Sequence, residues 1–176
     1  MKNPNADALS ADAGDRRGIA GTPGGPGVVA DVEIGPGDES DLARLRAMLA
    51  AGGLPVADAD AMLPDGLLIA RREGRVAGAV GLQTVMPDGL LRSLVVEPGD
   101  RGRGLGAALV SALECLAAER GVVRLYLLTT TAADFFKRLG YETVARDSVP
   151  PGIAATAEFR TLCPASAVCL SRKPEG

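Results

Sequence analysis

The sequence predicts an α/β (α+β) fold, with strands and helices interleaved along one chain and part of the sheet antiparallel. Three observations predict it. Helix-periodic stretches such as Leu105 to Arg120 alternate with short runs dense in Leu, Val and Ile, such as Leu90 to Val96 and Arg124 to Thr129. Two strand-like runs, Leu67 to Arg72 and Arg75 to Val85, flank the turn Glu73-Gly74, as an antiparallel hairpin requires. A Gly-rich loop, Gly99 to Gly106, joins a strand to a helix.

Each element follows from local chemistry. Residues 1–27 read as a Gly/Pro-rich tail, because too few large apolar side chains occur there to offset the entropy of ordering it. A folded domain is expected over 28–172, with a short tail at 173–176. Val28 to Ile34 is a strand. Asp38-Glu39-Ser40-Asp41 places acids at the start of a helix whose apolar face is Leu42, Leu45, Met48 and Leu49, and Gly52-Gly53 ends it. Ala57 to Leu63 is a second short helix. The hairpin follows, then the Leu/Val-rich strand Leu90 to Val96, which Pro98 ends. Leu105, Leu109, Ala112, Leu113, Leu116 and Ala117 form the apolar face of the long helix, which places Cys115 close to the core. Arg124 to Thr129 is a buried strand, Ala132 to Leu139 a helix stopped by Gly140, and Tyr141 to Ala145 a strand. A helix over Ile153 to Leu162 and a strand over Ala165 to Ser171 complete the chain.

Composition bounds the function. The 176 residues are 47% hydrophobic and 23% charged, enough for a core, which the 3% of aromatics leaves to Leu, Val, Ala and Ile. The net charge of −3 argues against nucleic acid or an anionic membrane as the main partner. No apolar run reaches the roughly 18 residues of a membrane span, and Met1 to Ser10 is polar with no apolar signal core. A cytoplasmic protein is expected. With no His in the chain, a His-based triad or His-ligated metal is excluded, and no metal site is expected. Cys115, Cys163 and Cys169 read as thiols, at a spacing unlike a zinc knuckle.

The strongest chemical signal is Arg101-Gly102-Arg103-Gly104-Leu105-Gly106. The first N–H groups of a helix lack intrahelical partners and favour an anion. Glycine lets that backbone approach a phosphate closely, and Arg101 and Arg103 add charge. No Gly-Lys-Ser/Thr follows, so this is not a Walker loop. The preceding β-meander also sets it apart from a Rossmann fingerprint.

Arg101-x-x-Gly104-x-Gly106, after a strand ending in Val-x-Pro, resembles the acetyl-CoA motif of GNAT N-acetyltransferases. Phe135-Phe136-Lys137-Arg138-Leu139-Gly140-Tyr141 resembles the second landmark of that superfamily. The likeness covers roughly residues 28–172. It implies the GNAT fold, a mixed and mostly antiparallel sheet of six to seven strands with helices on both faces and a splayed acetyl-CoA cleft. It implies acetyl-CoA as cofactor and a small-molecule acceptor. Many members dimerise, and a homodimer is left open. By this resemblance Leu94, Val95 and Val96 hold the pantetheine, and Arg101, Gly102, Arg103, Gly104, Leu105 and Gly106 the pyrophosphate. Thr130 and Phe136 line the cofactor cleft. Of the run Thr129 to Thr131, at least one is expected to cap the next helix.

Three segments, Leu91 to Val96, Leu125 to Ala132 and Ala157 to Cys169, are similar to a narrower branch, the arsenic-resistance N-acetyltransferases (ArsN type). The stretch Leu162-Cys163-Pro164-Ala165-Ser166-Ala167-Val168-Cys169 is the most distinctive. Some members acetylate the amino group of amino-acid analogues such as phosphinothricin and arsinothricin.

Two positions depart from the family pattern. Where relatives of the phosphinothricin type carry a basic Glu on the strand before the loop, this chain has Arg92. Where the family's acid is a Tyr, it has Phe136. Two accounts of catalysis stand: positioning, with water taking the proton, or groups particular to this branch, with Tyr141, Glu158 or a Cys as candidates. Two readings also stand for Arg92. It clamps an acceptor anion beside Ser93, or it forms a structural ion pair with Asp88 or Glu158. Cys163 and Cys169 either ligate a soft arsenical on the acceptor side or pack as small hydrophobes. The function expected is N-acetylation of a small amine. The alternatives are a non-catalytic acetyl-CoA or arsenical binder and a protein N-terminal acetyltransferase.

Overall fold

A computed structural model describes residues 31–175. The stretch read as an N-terminal tail, and the first residues of the expected first strand, lie outside them. A seven-stranded sheet runs in the order β1-β2-β3-β4-β5-β7-β6. Its strands are β1 Val32–Pro36, β2 Leu67–Arg72, β3 Arg75–Val85, β4 Asp88–Val96, β5 Arg124–Thr129, β6 Glu142–Thr143 and β7 Val168–Arg172. Every pairing is antiparallel except β4 with β5. That parallel junction needs a crossover, which the helix α2, Leu105–Glu119, supplies.

Helices α2 and α3, Ala133–Arg138, cover one face. Leu109, Val110 and Leu113 of α2 and Phe136 of α3 pack there against Val80, Leu91, Leu125, Leu127 and Leu170. The opposite face is divided. Helix α1, Leu42–Ala51, lays Leu45, Met48 and Leu49 over Ile69, Ala79 and Val95. The short helix α4, Pro151–Ala154, and the π turn Glu158–Leu162 bring Ile153 and Phe159 over Leu90, Tyr126 and Cys169. Successive residues of β4 and β5 serve opposite faces, as the two-residue period of a strand demands.

Several expectations need correction. The helix expected over Ile153 to Leu162 is broken. Thr156 turns its hydroxyl back onto the Ile153 carbonyl at 2.7 Å, diverting a helix acceptor, and a new turn begins when Thr156 O accepts from Arg160 N. The segment expected as a second helix, Ala57 to Leu63, forms a single 3-10 turn over Ala59–Met62. Tyr141 does not open β6: its N–H bonds Phe136 O and completes the α3 terminus, where Gly140 takes a φ of +86°. Cys115 is exposed. The buried arc of α2 runs through Leu105, Leu109, Val110, Leu113, Glu114 and Ala117, and at about 100° per residue Cys115 falls opposite its centre.

Glu114 pays for that rotation with a raised carboxyl pKa, chiefly through burial. A carboxyl whose folded pKa is raised costs stability above its unfolded pKa, and the cost disappears as pH falls and the group protonates. Glu114→Gln is therefore expected to raise the melting temperature at neutral pH, with the gain vanishing in acid. Backbone crowding sets a sharper limit at Gly66, where a Cβ would stand 2.0 Å from the Leu82 carbonyl oxygen. Gly66→Ala is expected to cost about 3 kcal/mol or more in urea unfolding, because the clash is with backbone and no rotamer relieves it.

Candidate active site

The site begins with a bulge. Across β3 and β4 the register passes from Gly81 opposite Arg92 to Ala79 opposite Val95, so Ser93 and Leu94 together face Val80. Ser93 takes a φ of +57° to make the extra residue fit. On the other edge β4 pairs with β5 only from Asp88 to Leu90, opposite Arg124 to Tyr126. Beyond that point the two strands part. The backbone groups of Leu91 to Val96 that a continuing parallel ladder would consume face a cleft of about 780 Å³. Leu127, Leu128 and Thr129 of β5 form its other wall.

At one end the cleft meets the start of α2. Gly104 precedes the helix with a φ of +81° and has no side chain to cap it. The first intrahelical bond runs from Ala108 N to Gly104 O at 3.0 Å. The preceding N–H groups of the first turn are thus left for a ligand, and Gly104, Leu105, Gly106 and Ala107 all line the cleft. Arg101 also lines it, its Nε donating to Val96 O at 2.9 Å, which ties the loop to the strand edge. The neighbouring acids are already paired, Glu97 with Arg44 and Asp100 with Arg72 and Arg75. Asp100 carboxyl acidity is increased, first by the hydrogen bond from Arg75.

Arg92 sits on the divided face, at the seam between the α1 layer and the α4 layer. Its side chain is 2% exposed. Nη2 pairs with Asp58 from one layer and, at 2.9 Å, with Glu158 of the π turn from the other. Nη1 donates to Gln83 at 3.3 Å, while Nε is buried without a hydrogen-bond partner. Glu158 also accepts from the Cys163 thiol at 3.0 Å. Arg146 fastens the π turn by donating to the carbonyls of Phe159, Cys163 and Pro164.

The cleft gathers Arg92, Ser93, Leu94, Val95, Val96, Arg101, Gly102, Gly104, Leu105, Gly106 and Phe136 from the residues singled out in the sequence. It does not gather Arg103, Thr130, Tyr141, Glu158, Cys163 or Cys169. Thr129, not Thr130, caps the following turn, accepting from Ala132 N at 2.9 Å. Tyr141 is buried behind Phe136, ring centroids 5.4 Å apart, and burial together with the adjacent Glu114 carboxylate raises its phenol pKa. Of the ion-pair partners expected for Arg92, Glu158 is engaged and Asp88 is not. Asp58, Phe135 and Arg138 belong to the site region and were not singled out. For Asp58 no local signal existed, since it lies 34 residues from Arg92. Phe135 and Arg138 stand inside a motif already recognised.

None of the three cysteines lines the cleft. Cys169 is in the core beside Leu90 and Tyr126, its thiol pushed up to about 11, first by burial. The Cys163 thiol is pushed up to about 12 by burial and by the Glu158 carboxylate it donates to.

Residues 64–143 match the family model described as an acetyltransferase (GNAT) domain. An uncharacterised N-acetyltransferase of Chlorobaculum tepidum is 33% identical over 103 residues, 57% of this chain and 63% of that protein. An amino-acid acetyltransferase of Ectopseudomonas mendocina is 29% identical over 94 residues, 52% of this chain and 22% of that protein. This chain therefore spans less than two thirds of either relative. Among solved structures, N-acetylglutamate synthase of Neisseria gonorrhoeae with coenzyme A and N-acetyl-glutamate superposes with a TM-score of 0.71 at 20% identity, over 82% of this chain and 35% of that one. A Mycobacterium tuberculosis protein solved with coenzyme A gives 0.69 at 20% identity, over 80% of this chain and 98% of that one. The fold is the GNAT fold, and residues 64–143 are similar to a GNAT acetyltransferase domain.

The thiol environments predict reactivity. At mildly alkaline pH an alkylating reagent is expected to modify Cys115 in the native protein and to reach Cys163 and Cys169 only after unfolding. Intact mass with time would read one adduct before denaturant and three after it.

Proposed function

We propose that this domain transfers the acetyl group of acetyl-CoA to the amine of a small, amino-acid-like acceptor. The observation that carries the reading is the parting of β4 from β5 at Leu90 and Tyr126, which ends at the open first turn of α2. A pantetheine arm presents amide donors and acceptors along its length. The unpaired edge of Leu91 to Val96 supplies complementary groups, much as an added strand would. The diphosphate then falls at the α2 N-terminus, where N–H groups, the helix dipole and Arg101 favour it. An amino-acid-like acceptor is supported by the similarity to an amino-acid acetyltransferase. The C-terminal resemblance to arsenic-resistance enzymes adds organoarsenical amino acids and phosphinothricin to the acceptors to be tried.

The transfer requires a neutral amine to attack the thioester carbonyl. The N–C bond forms, the C–S bond breaks, the nitrogen loses a proton and the departing thiolate gains one. The residues near the acetyl end favour positioning over a dedicated acid and base. Phe136 has no proton to give. Glu158 is held between Arg92 and the Cys163 thiol. The buried cluster carries the carboxylates of Asp58 and Glu158 against the single guanidinium of Arg92, a balance that suits an incoming ammonium. Asp58, with its side chain 23% exposed, is the member that solvent reaches. Holding two reactants in register contributes about 7–11 kcal/mol in well-oriented systems, and water accepts the proton.

The test mixes the protein with acetyl-CoA and a panel of amino acids, phosphinothricin and arsinothricin, following free coenzyme A with a thiol reagent. Acceptor-dependent release is expected. Gly104→Asp, which sets a carboxylate at the first turn of α2, is expected to weaken acetyl-CoA binding by at least about tenfold. Cofactor binding without release from any acceptor would replace catalysis with ligand binding. Absence of acetyl-CoA binding in calorimetry would overturn the reading.

A further inference from the structure

Acetyl-CoA carries a second anionic centre besides its diphosphate, a phosphomonoester on the ribose, close to doubly charged at neutral pH. The α2 N-terminus and Arg101 answer the diphosphate and leave that second charge uncompensated.

Arg138 is the last residue of α3 and lines the cleft beside Gly102, Gly104 and Phe135. It stands three residues after Phe135, so both side chains share one helix face. That face is turned to the phosphate loop, because the Phe135 ring lies where a Cβ on Gly106 would come within 3.3 Å of its Cζ. Arg138 is exposed and makes no ion pair or hydrogen bond through its guanidinium to the described residues. The acids of the loop are engaged elsewhere: Glu97 holds Arg44, and Asp100 holds Arg72 and Arg75. Arg103 is also exposed and free of ion pairs, but it does not line the cleft.

We propose that Arg138 takes the ribose phosphomonoester of the coenzyme and makes the domain discriminate phosphorylated from dephosphorylated acetyl-CoA. The inference rests on the cofactor reading above. A guanidinium matches a phosphate with paired, parallel donors. Being on the rim, it contributes mainly selectivity, and its effect is screened by salt.

The experiment measures binding of acetyl-CoA and acetyl-dephospho-CoA by calorimetry at low ionic strength, for the wild type, Arg138→Ala, Arg138→Lys and Arg103→Ala. The wild type is expected to prefer acetyl-CoA by about tenfold, equivalent to about 1.4 kcal/mol. In Arg138→Ala the ratio is expected to fall to near one through loss of acetyl-CoA affinity, with the dephospho form bound as in the wild type. Arg138→Lys is expected to keep part of the preference as a point charge, and Arg103→Ala to keep all of it. An undiminished ratio in Arg138→Ala, a wild-type ratio near one, or loss of the ratio in Arg103→Ala instead would overturn the assignment. Failure of the wild type to bind either coenzyme would remove the cofactor reading, and this inference with it.

Discussion

Strand β4 has two edges and uses them differently. Along β3 it is paired almost throughout, from Asp88 opposite Val85 to Val96 opposite Gly78. Along β5 it is paired for three residues and then abandoned. A strand interior to a sheet ordinarily satisfies both edges, since unpaired buried backbone groups are costly. Here the extra residue at Ser93 bends β4 away from β5, and the cost is borne by a residue other than glycine in the left-handed region, roughly 1 kcal/mol. What the bend creates is an extended row of donors and acceptors inside the molecule, aimed at the open turn of a helix. The α2 crossover, the α3 turn with its aromatic pair and the Gly-rich loop are all arranged around that gap. A regular β4–β5 ladder continued past Leu90 would close the cleft.

Arg92 stands beside the bulge and solves a different problem. The sheet face it occupies is covered by two separate helical layers that share no large apolar contact cluster. The guanidinium reaches a carboxylate from each, Asp58 on one side and Glu158 on the other. A buried ion pair of this kind contributes little net stability compared with well-packed apolar residues, yet breaking it by removing one partner leaves a stranded charge. Its value is geometric: it fastens both layers to β4 where the strand turns away from β5. The π turn serves the same end, for Arg146 gathers the carbonyls of Phe159, Cys163 and Pro164 and so keeps Glu158 pointed at Arg92.

The elements that were legible in the sequence are those whose causes are local. β2, β3 and β5 begin and end where expected, because a Gly-containing turn precedes each and their apolar runs are dense. The Gly-rich loop was legible for the same reason, since its glycines answer to conformation within a few residues. Elements set by distant partners were not. Nothing near β7 announces that it inserts between β5 and β6. The Asp58 side of the Arg92 cluster lies far along the chain. The rotation of α2 was hidden because Ala and Leu occur on both sides of that helix, so its pattern admits more than one buried arc, and only packing on the sheet selects the one that includes Glu114 and excludes Cys115. The short π turn was illegible because the hydroxyl of Thr156, not a proline or glycine, interrupts the helix.

The electrostatics reconcile an acidic chain with an anionic cofactor. A net charge of −3 opposes binding of a polyphosphate over distances longer than the Debye length, about 8 Å at physiological salt. Inside that distance only the local balance counts. Around the α2 N-terminus, Glu97 and Asp100 are each neutralised by arginines that lie away from the first turn. Arg101 and Arg138 line the cleft free of ion pairs, and the helix dipole adds to them. The acids near the loop thus hold its shape, while the cationic groups that face the cleft remain unspent. The opposite balance holds at Arg92, where two carboxylates meet one guanidinium. In the proposed reaction, an anionic coenzyme at one end and a cationic amine at the other would each meet a complementary field, and that polarity along the gap would orient both reactants before any proton moves.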